Sequence, residues 1–325
     1  MMVRMQVVLC NVVALILILA SCAVVAQSYP IKPVRVLIGF AAGSSTDVMM
    51  RLIGPKLTEL WGAQVVVDNR PGAGGNIAAE AVARAAPDGY MVLFANGGIA
   101  IAPSLYKHLQ YNARTDLAPV ALVTSMPHIV CVNSSLPVKS IKDLIALARS
   151  RPEQVLFSSA GIGNLDHMAT ELFAYMAGIK MTHVPNKGGP QALNDVMSGQ
   201  VAIYLAGMPT GLPLARAGKV RAIAVTTAKR SSAAPDIPTI LESGVAGYQY
   251  SLWNGLFAPA GTPPAVAGKI SADVARVIAT DDMRERFTSF GIETLGSSPA
   301  EFQQFFLAEL DKWAKVIKAT GIQIE

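Results

Sequence analysis

Between Val34 and Phe94 two glycine-rich turns each lie between an apolar strand and a helix, and this alternation dictates the kind of sheet the chain can build. Val34-Arg35-Val36-Leu37-Ile38 reads as a strand, and Gly39-Phe40-Ala41-Ala42-Gly43-Ser44-Ser45-Thr46-Asp47 as a turn feeding a helical pattern from Val48. Residues 64–68 read as a second strand, closed by Asn69-Arg70-Pro71-Gly72-Ala73-Gly74-Gly75-Asn76 and followed by an Ala-rich helix over 77–85. Pro87-Asp88-Gly89 is a turn, in which proline fixes φ and glycine supplies φ > 0, and residues 90–95 are a third strand. Strands alternating with helices at this pitch form βαβ units around a mainly parallel sheet.

The same grammar returns further along. An apolar stretch over 117–126 runs through Pro127 into residues 128–132, as a chain does when it leaves one lobe for another. Ser140 caps a helix over 141–150, residues 155–159 form a strand, and Ala160-Gly161-Ile162-Gly163-Asn164 is a second glycine turn before a helix over 165–176. Strands at 181–184, 201–206 and 220–226 and a helix at 189–198 complete this part. Residues 250–260 read as a strand returning to the first lobe, with helices over 266–279, 282–290 and 299–320 behind it. The expected fold class is α/β, with two lobes joined by a two-strand hinge and a ligand cleft between them. Residues 29–126 plus 250–325 make lobe 1, and residues 127–249 make lobe 2. About 300 residues after the leader exceed the usual single core, in keeping with two lobes.

A strand that ends in Gly-Ser-Ser-Thr and feeds a helix leaves backbone N–H groups unpaired at the positive end of the helix dipole. Such a turn suits an anion. Candidate ligand contacts are therefore Phe40, Gly43, Ser44, Ser45, Thr46 and Asp47 at the first turn and Gly161, Gly163 and Asn164 at the second. For Asp47 a structural role in the first turn of its helix is favoured over contact with ligand or water. Phe40, Trp253 and Phe257 are read first as core aromatics.

Catalytic chemistry finds no foothold. Residues 72–75 lack the Gly-Lys-Ser/Thr ending of a phosphate loop and the full Gly-x-Gly-x-x-Gly spacing, so they read as a structural turn near the cleft. No carboxylate or cysteine stands at ligand spacing from His167 or His183, so no metal is expected. No Gly-x-Ser-x-Gly elbow is present, and neither catalytic residues nor a cofactor are assigned. The formal charge is +5, with basic residues scattered singly and densest over 216–221. Nucleic acid would call for a concentrated basic stripe, so it is not expected as a partner.

Arg4 precedes an apolar run over 7–20 that is short for a membrane span and reads as an export signal covering residues 1–26. Cleavage after Val24-Val25-Ala26, giving a soluble protein outside the cytoplasm, is favoured. Leu19-Ala20-Ser21-Cys22 resembles a lipobox that would anchor the chain through Cys22, and an uncleaved signal anchor is a third course. Of the three cysteines, Cys10 and Cys22 leave with the signal, and Cys131 then has no partner for a disulfide.

Five blocks together resemble the substrate-binding proteins of tripartite tricarboxylate transporters, also called Bug-type receptors. They are Phe40 to Asp47, Asn69 to Gly75, Ala86-Pro87-Asp88-Gly89-Tyr90, His183-Val184-Pro185 with Lys187-Gly188, and Leu256-Phe257-Ala258-Pro259 with Gly261-Thr262-Pro263. They lie in order across essentially the whole mature chain. The resemblance implies a type II periplasmic binding-protein fold, a small organic carboxylate held in a closing cleft by the two turns, often with bridging water, and membrane permease subunits as partners. A monomer is expected. The chain departs from the family pattern where Ala41, Ala42 and Ser44 replace two prolines and a glycine, and where Asn186, a further candidate ligand contact, replaces a tyrosine. These changes leave open which ligand is bound: an amino acid, a di- or tricarboxylate, or an aromatic acid. Two other readings stay open, a sensory co-receptor for the same solutes and an enzyme binding a nucleotide at residues 72–76.

Overall fold

The computed structural model describes residues 29–320. The export signal, both processing sites, Cys10 and Cys22 lie outside the described residues. Among the described residues no helix is long and apolar enough to cross a membrane.

Two sheets are present. The first is built from β1 (Val34–Ile38), β2 (Val65–Asn69), β3 (Met91–Asn96), β4 (Leu117–Met126), β10 (Leu252–Pro259) and β11 (Glu293–Thr294), in the order β11-β4-β10-β3-β1-β2. Its β2-β1-β3 part is parallel, as βαβ connections require, and β10 runs antiparallel between β3 and β4. The second contains β5 (His128–Asn133), β6 (Leu156–Ser159), β7 (Thr182–Pro185), β8 (Ile203–Gly207) and β9 (Val220–Val225), in the order β7-β6-β8-β5-β9.

Helices flank both sheets: α1 (Ser45–Trp61), α2 (Asn76–Ala83) and α3 (Gly98–Leu105) follow the first three strands. With the second sheet come α4 (Ile141–Ser150), α5 (Leu165–Ala177), α6 (Gly189–Ser198) and α7 (Met208–Arg216), and the chain then adds α8 (Pro264–Ile278), α9 (Asp281–Ser289) and α10 (Pro299–Thr320). Helix α1 starts at Ser45, three residues before the apolar pattern begins, because Ser44 caps it by accepting from the Asp47 N–H. Helices α3 and α7 are not anticipated by pattern. Each has proline inside it, Pro103 and Pro213, and α3 is buried along most of its length, so α3 shows no polar face.

Helix α10 closes the core of the first lobe. Its Phe302 and Phe306 lie 4.9 and 5.0 Å, centroid to centroid, from Phe257 on β10. Trp253, also on β10, is buried and donates to Glu309 of α10 at 2.9 Å. A side chain at Gly255 would overlap the Phe302 ring, so glycine there lets helix and sheet meet. Pro127 alone separates β4 from β5, and Tyr250 and Ser251 precede β10 on the return path. The lobes meet face to face. Tyr106 Oη donates to Ile162 O at 2.6 Å, Asn96 Nδ2 donates to Asn164 Oδ1 at 3.0 Å, and Ser45 Oγ lies 3.1 Å from Thr210 Oγ1.

Candidate ligand-binding site

Each strand-to-helix turn brings its own carboxylate to its free N–H groups. In the first, the Gly43 N–H donates to Asp47 Oδ2 at 2.8 Å. Asp47 also accepts from Arg51 Nε at 2.9 Å and from Asn69 Nδ2 at 2.9 Å. Burial pushes the Asp47 carboxyl up, but the Arg51 guanidinium, the Gly43 N–H and the Asn69 amide outweigh it and hold the group below its ordinary range. The hydroxyls beside it are engaged as well. Ser44 Oγ caps α1, Ser45 Oγ meets Thr210 across the cleft, and Thr46 Oγ1 donates to Asn254 Oδ1 at 3.1 Å.

The second turn repeats this plan with a different electrostatic balance. The Ala160 N–H donates to Asp166 Oδ2 at 2.7 Å, the Gly161 N–H to Ser159 Oγ at 3.2 Å and the Gly163 N–H to His167 Nδ1 at 3.1 Å. Asn164 Oδ1 accepts from Leu165 N at 2.7 Å and from Asn96 of the first lobe. Burial raises the Asp166 carboxyl, and the N–H groups of Ala160 and His167 and the Tyr204 hydroxyl offset only part of that.

Between the lobes lies a cleft of about 540 Å³, within the range of about 300–1,000 Å³ usual for small-molecule sites. The first lobe contributes Gly39, Phe40, the loop 72–75 and Tyr106, and the second contributes Ala160, Gly161, Ile162, Pro185, Asn186, Lys187 and Gln191. Of the residues singled out in the sequence, Phe40, Gly161 and Asn186 line this cleft. Gly43, Ser44, Ser45, Thr46, Asp47, Gly163 and Asn164 sit in the two turns outside its lining, with the partners just described. Tyr106, Ile162, Lys187 and Gln191 line it without having been singled out.

The loop 72–75 enters the cleft because of its backbone. Gly72, Ala73, Gly74 and Gly75 have φ of 136, 48, 64 and 101°, a run of left-handed residues that turns the chain sharply toward the second lobe. A Cβ on Gly74 would lie 2.6 Å from Ile162 O and 2.9 Å from Tyr106 Oη. Lys187 is the one charged residue in the lining and has no ion pair among the described residues. Burial raises the Tyr106 phenol, which keeps it a donor to Ile162 O.

Behind the second turn the rings of His167 and His183 stack at 3.8 Å and 15°. His183 Nε2 is 2.6 Å from Ser159 Oγ, and burial together with His167 lowers the His183 imidazole to about 3, so it is neutral. The described residues gather no group of three or more His, Cys, Asp and Glu side chains that could hold a metal. Cys131 is buried on β5, and burial pushes its thiol up to about 12, which makes it unreactive.

The family described as tripartite tricarboxylate transporter family receptor matches residues 49–322. The periplasmic binding protein BugD superimposes with a TM-score of 0.88 at 33% identity, over 91% of this chain and 100% of that one. The R. palustris protein Rpa4515, solved with adipate, gives 0.88 at 38% identity over 91% and 99% of the two chains. MatC from Rhodopseudomonas palustris, solved with bound malate, gives 0.85 at 32% identity over 89% and 100%. The fold is thus that of the two-lobed periplasmic binding proteins. With its cleft, its paired turns and this match over most of its length, the chain belongs to the tripartite tricarboxylate transporter receptor family, whose members are solute-binding receptors and not enzymes.

Proposed function

We propose that this protein captures a small organic carboxylate in the periplasm, as a monomer, and hands it to the permease subunits of a tripartite tricarboxylate-type transporter. The observation that carries this reading is the composition of the cleft: among the described residues no acidic side chain lines it, and the single charge is Lys187. A carboxylate entering it meets one cation and the dipoles of the loop 72–75 and of the turn at Gly161, with no like charge to repel it. Adipate and malate in the related Rpa4515 and MatC support the ligand class. The export signal over residues 1–26 supports delivery to the periplasm.

Residues 29–126 with 250–325 form one lobe and residues 127–249 the other, hinged at Pro127 and near Tyr250. Phe40, Gly161 and Asn186 contact the ligand directly, joined by Tyr106 and Lys187. Gly43, Ser44, Ser45, Thr46, Asp47, Gly163 and Asn164 act by fixing the two turns and, for Ser45 and Asn164, by tying the lobes together on closure. Capture follows closure of one lobe onto the ligand held by the other.

Isothermal titration and thermal shift with a panel of carboxylates test the proposal. At a ligand concentration 100 times Kd, binding to the folded state alone adds about 2.7 kcal/mol and a clear rise in melting temperature. No response to any mono-, di- or tricarboxylate, with the protein folded, overturns it.

A further inference from the structure

Asn186 faces the cleft with one end of its amide already committed. Its Nδ2 donates to Ser158 Oγ at 2.6 Å and to Asp195 Oδ2 at 2.7 Å. A carboxylate only accepts, so Asp195 holds the NH2 end toward itself and settles which way the amide points. Ser158 directs its own proton to Val184 O at 3.4 Å, leaving its oxygen to accept from Asn186. Both N–H groups of the amide are thereby taken. The backbone is fixed too, since the Asn186 N–H donates to Ser159 O at 3.0 Å. What remains is Oδ1, which has no partner among the described residues, on a residue that lines the cleft. Asn186 therefore offers the ligand an acceptor and no donor, and the Asp195 charge behind the amide strengthens that acceptor.

We infer that the ligand carries a hydroxyl or ammonium donor beside its carboxylate, that Asn186 Oδ1 accepts from it, and that Asn186 thus selects hydroxy- or amino-substituted acids over plain alkyl acids. This rests on the carboxylate reading above. A carboxylate placed against Oδ1 would set two acceptors face to face, so the anionic end belongs at Lys187 and the loop 72–75. A plain alkyl chain there leaves Oδ1 stripped of water without a partner, and that is the source of the discrimination.

The test is isothermal titration with two matched pairs that differ by one hydroxyl, malate against succinate and lactate against propionate, on the wild-type protein and on Asn186→Leu. Within whichever pair binds, the hydroxy acid is expected to bind the wild type roughly tenfold more tightly. In Asn186→Leu the ratio falls to about one, because the hydroxy acid loses its acceptor and the plain acid no longer strips water from Oδ1. Asp195→Asn, which no longer dictates the direction of the amide, gives an intermediate ratio. A wild-type ratio near one, or a ratio that survives in Asn186→Leu, overturns the inference and leaves the carboxylate receptor standing. If neither pair nor any wider panel of acids binds the folded protein, the receptor reading fails first and the inference falls with it.

Discussion

The turn after β1 and the turn after β6 are written alike and used differently. Both run from a strand through glycine into a helix, and both place an aspartate in the first helical turn that accepts from an N–H of the turn itself. At the second turn Ala160, Gly161 and Ile162 line the cleft. At the first only Gly39 and Phe40 reach it, and the loop 72–75 occupies the position in front. The aspartates differ as well. Asp47 is paired with the Arg51 guanidinium and its carboxyl is lowered, whereas at Asp166 burial outweighs the N–H donors, the Tyr204 hydroxyl and His167, and its carboxyl is raised. A strand-glycine-helix pattern therefore specifies a local geometry and leaves open which surface meets the ligand, because the neighbouring loop settles that.

The largest expected effect separates the loop that faces the other lobe from the turn behind it. Gly74→Ala places a Cβ 2.6 Å from Ile162 O of the other lobe and 2.9 Å from Tyr106 Oη of its own. The left-handed Ala costs about 1–2 kcal/mol of stability, and the clash with Ile162 O opposes the approach of the lobes around ligand, so affinity falls on the order of 100-fold. Gly43→Ala has the same backbone penalty, with φ at 78°, but its Cβ meets only Pro190 Cγ at 3.5 Å. It lowers stability by about 1 kcal/mol and changes affinity less than about threefold. Equal losses of affinity in a titration of the two variants would erase the distinction.

A smaller effect tests the two carboxylates. Asp47→Asn loses charge-assisted bonds to Arg51 and the Gly43 N–H and costs about 2 kcal/mol at pH 7. Asp166→Asn changes stability by less than about 1 kcal/mol there, since burial already opposes the charge it removes. The pH slopes have opposite signs. Asp47 titrates below its unfolded value of about 3.9, so its stabilisation is complete above that pH and is lost as pH falls through its folded pKa. Asp166 titrates above its unfolded value, so its contribution is complete below about pH 3.9 and is lost as pH rises through its folded pKa. Urea denaturation from pH 3 to 7 should show the wild type gaining on Asp47→Asn with rising pH and losing ground to Asp166→Asn. Parallel profiles would mean that the two aspartates share one environment after all.

The smallest effect concerns the hydroxyls of the first turn. Ser44→Ala removes a helix cap and costs about 1 kcal/mol of stability, with ligand affinity unchanged within about twofold. A tenfold loss of affinity in that variant would return Ser44 to the ligand and undo the contrast drawn here.

Much of the fold is legible in the chain because its strands and amphipathic helices alternate, and the boundaries of α4, α6 and α10 coincide with the pattern that announces them. Helices α3 and α7 escape it, since proline and glycine inside them argue against helix, and in α3 burial along most of its length also hides the period. The site is less legible. In the sequence Ser44 and Thr46 read as ligand donors, and only the positions of Asp47 N and Asn254 Oδ1 show where their hydroxyls go. Tyr106 follows a helix that pattern misses, and its bond to Ile162 joins residues of different lobes that no local pattern relates. Asn186 stands out as a departure from a family pattern, but the pull of Asp195 on its amide, nine residues on, appears only in three dimensions.

The place of β10 has a consequence for the order of assembly. It lies between β3 and β4 and is hydrogen-bonded to both, yet it comes after the whole of the second sheet in the chain. Strands β5 to β9 are contiguous and can pair as soon as they are made. Through all that time β3 and β4 face a missing neighbour, each with an open edge. The first sheet therefore cannot close until the segment starting at Leu252 is present to fill the gap and α10 to cover it. Until then half of the molecule, one whole wall of the cleft included, stays unfinished.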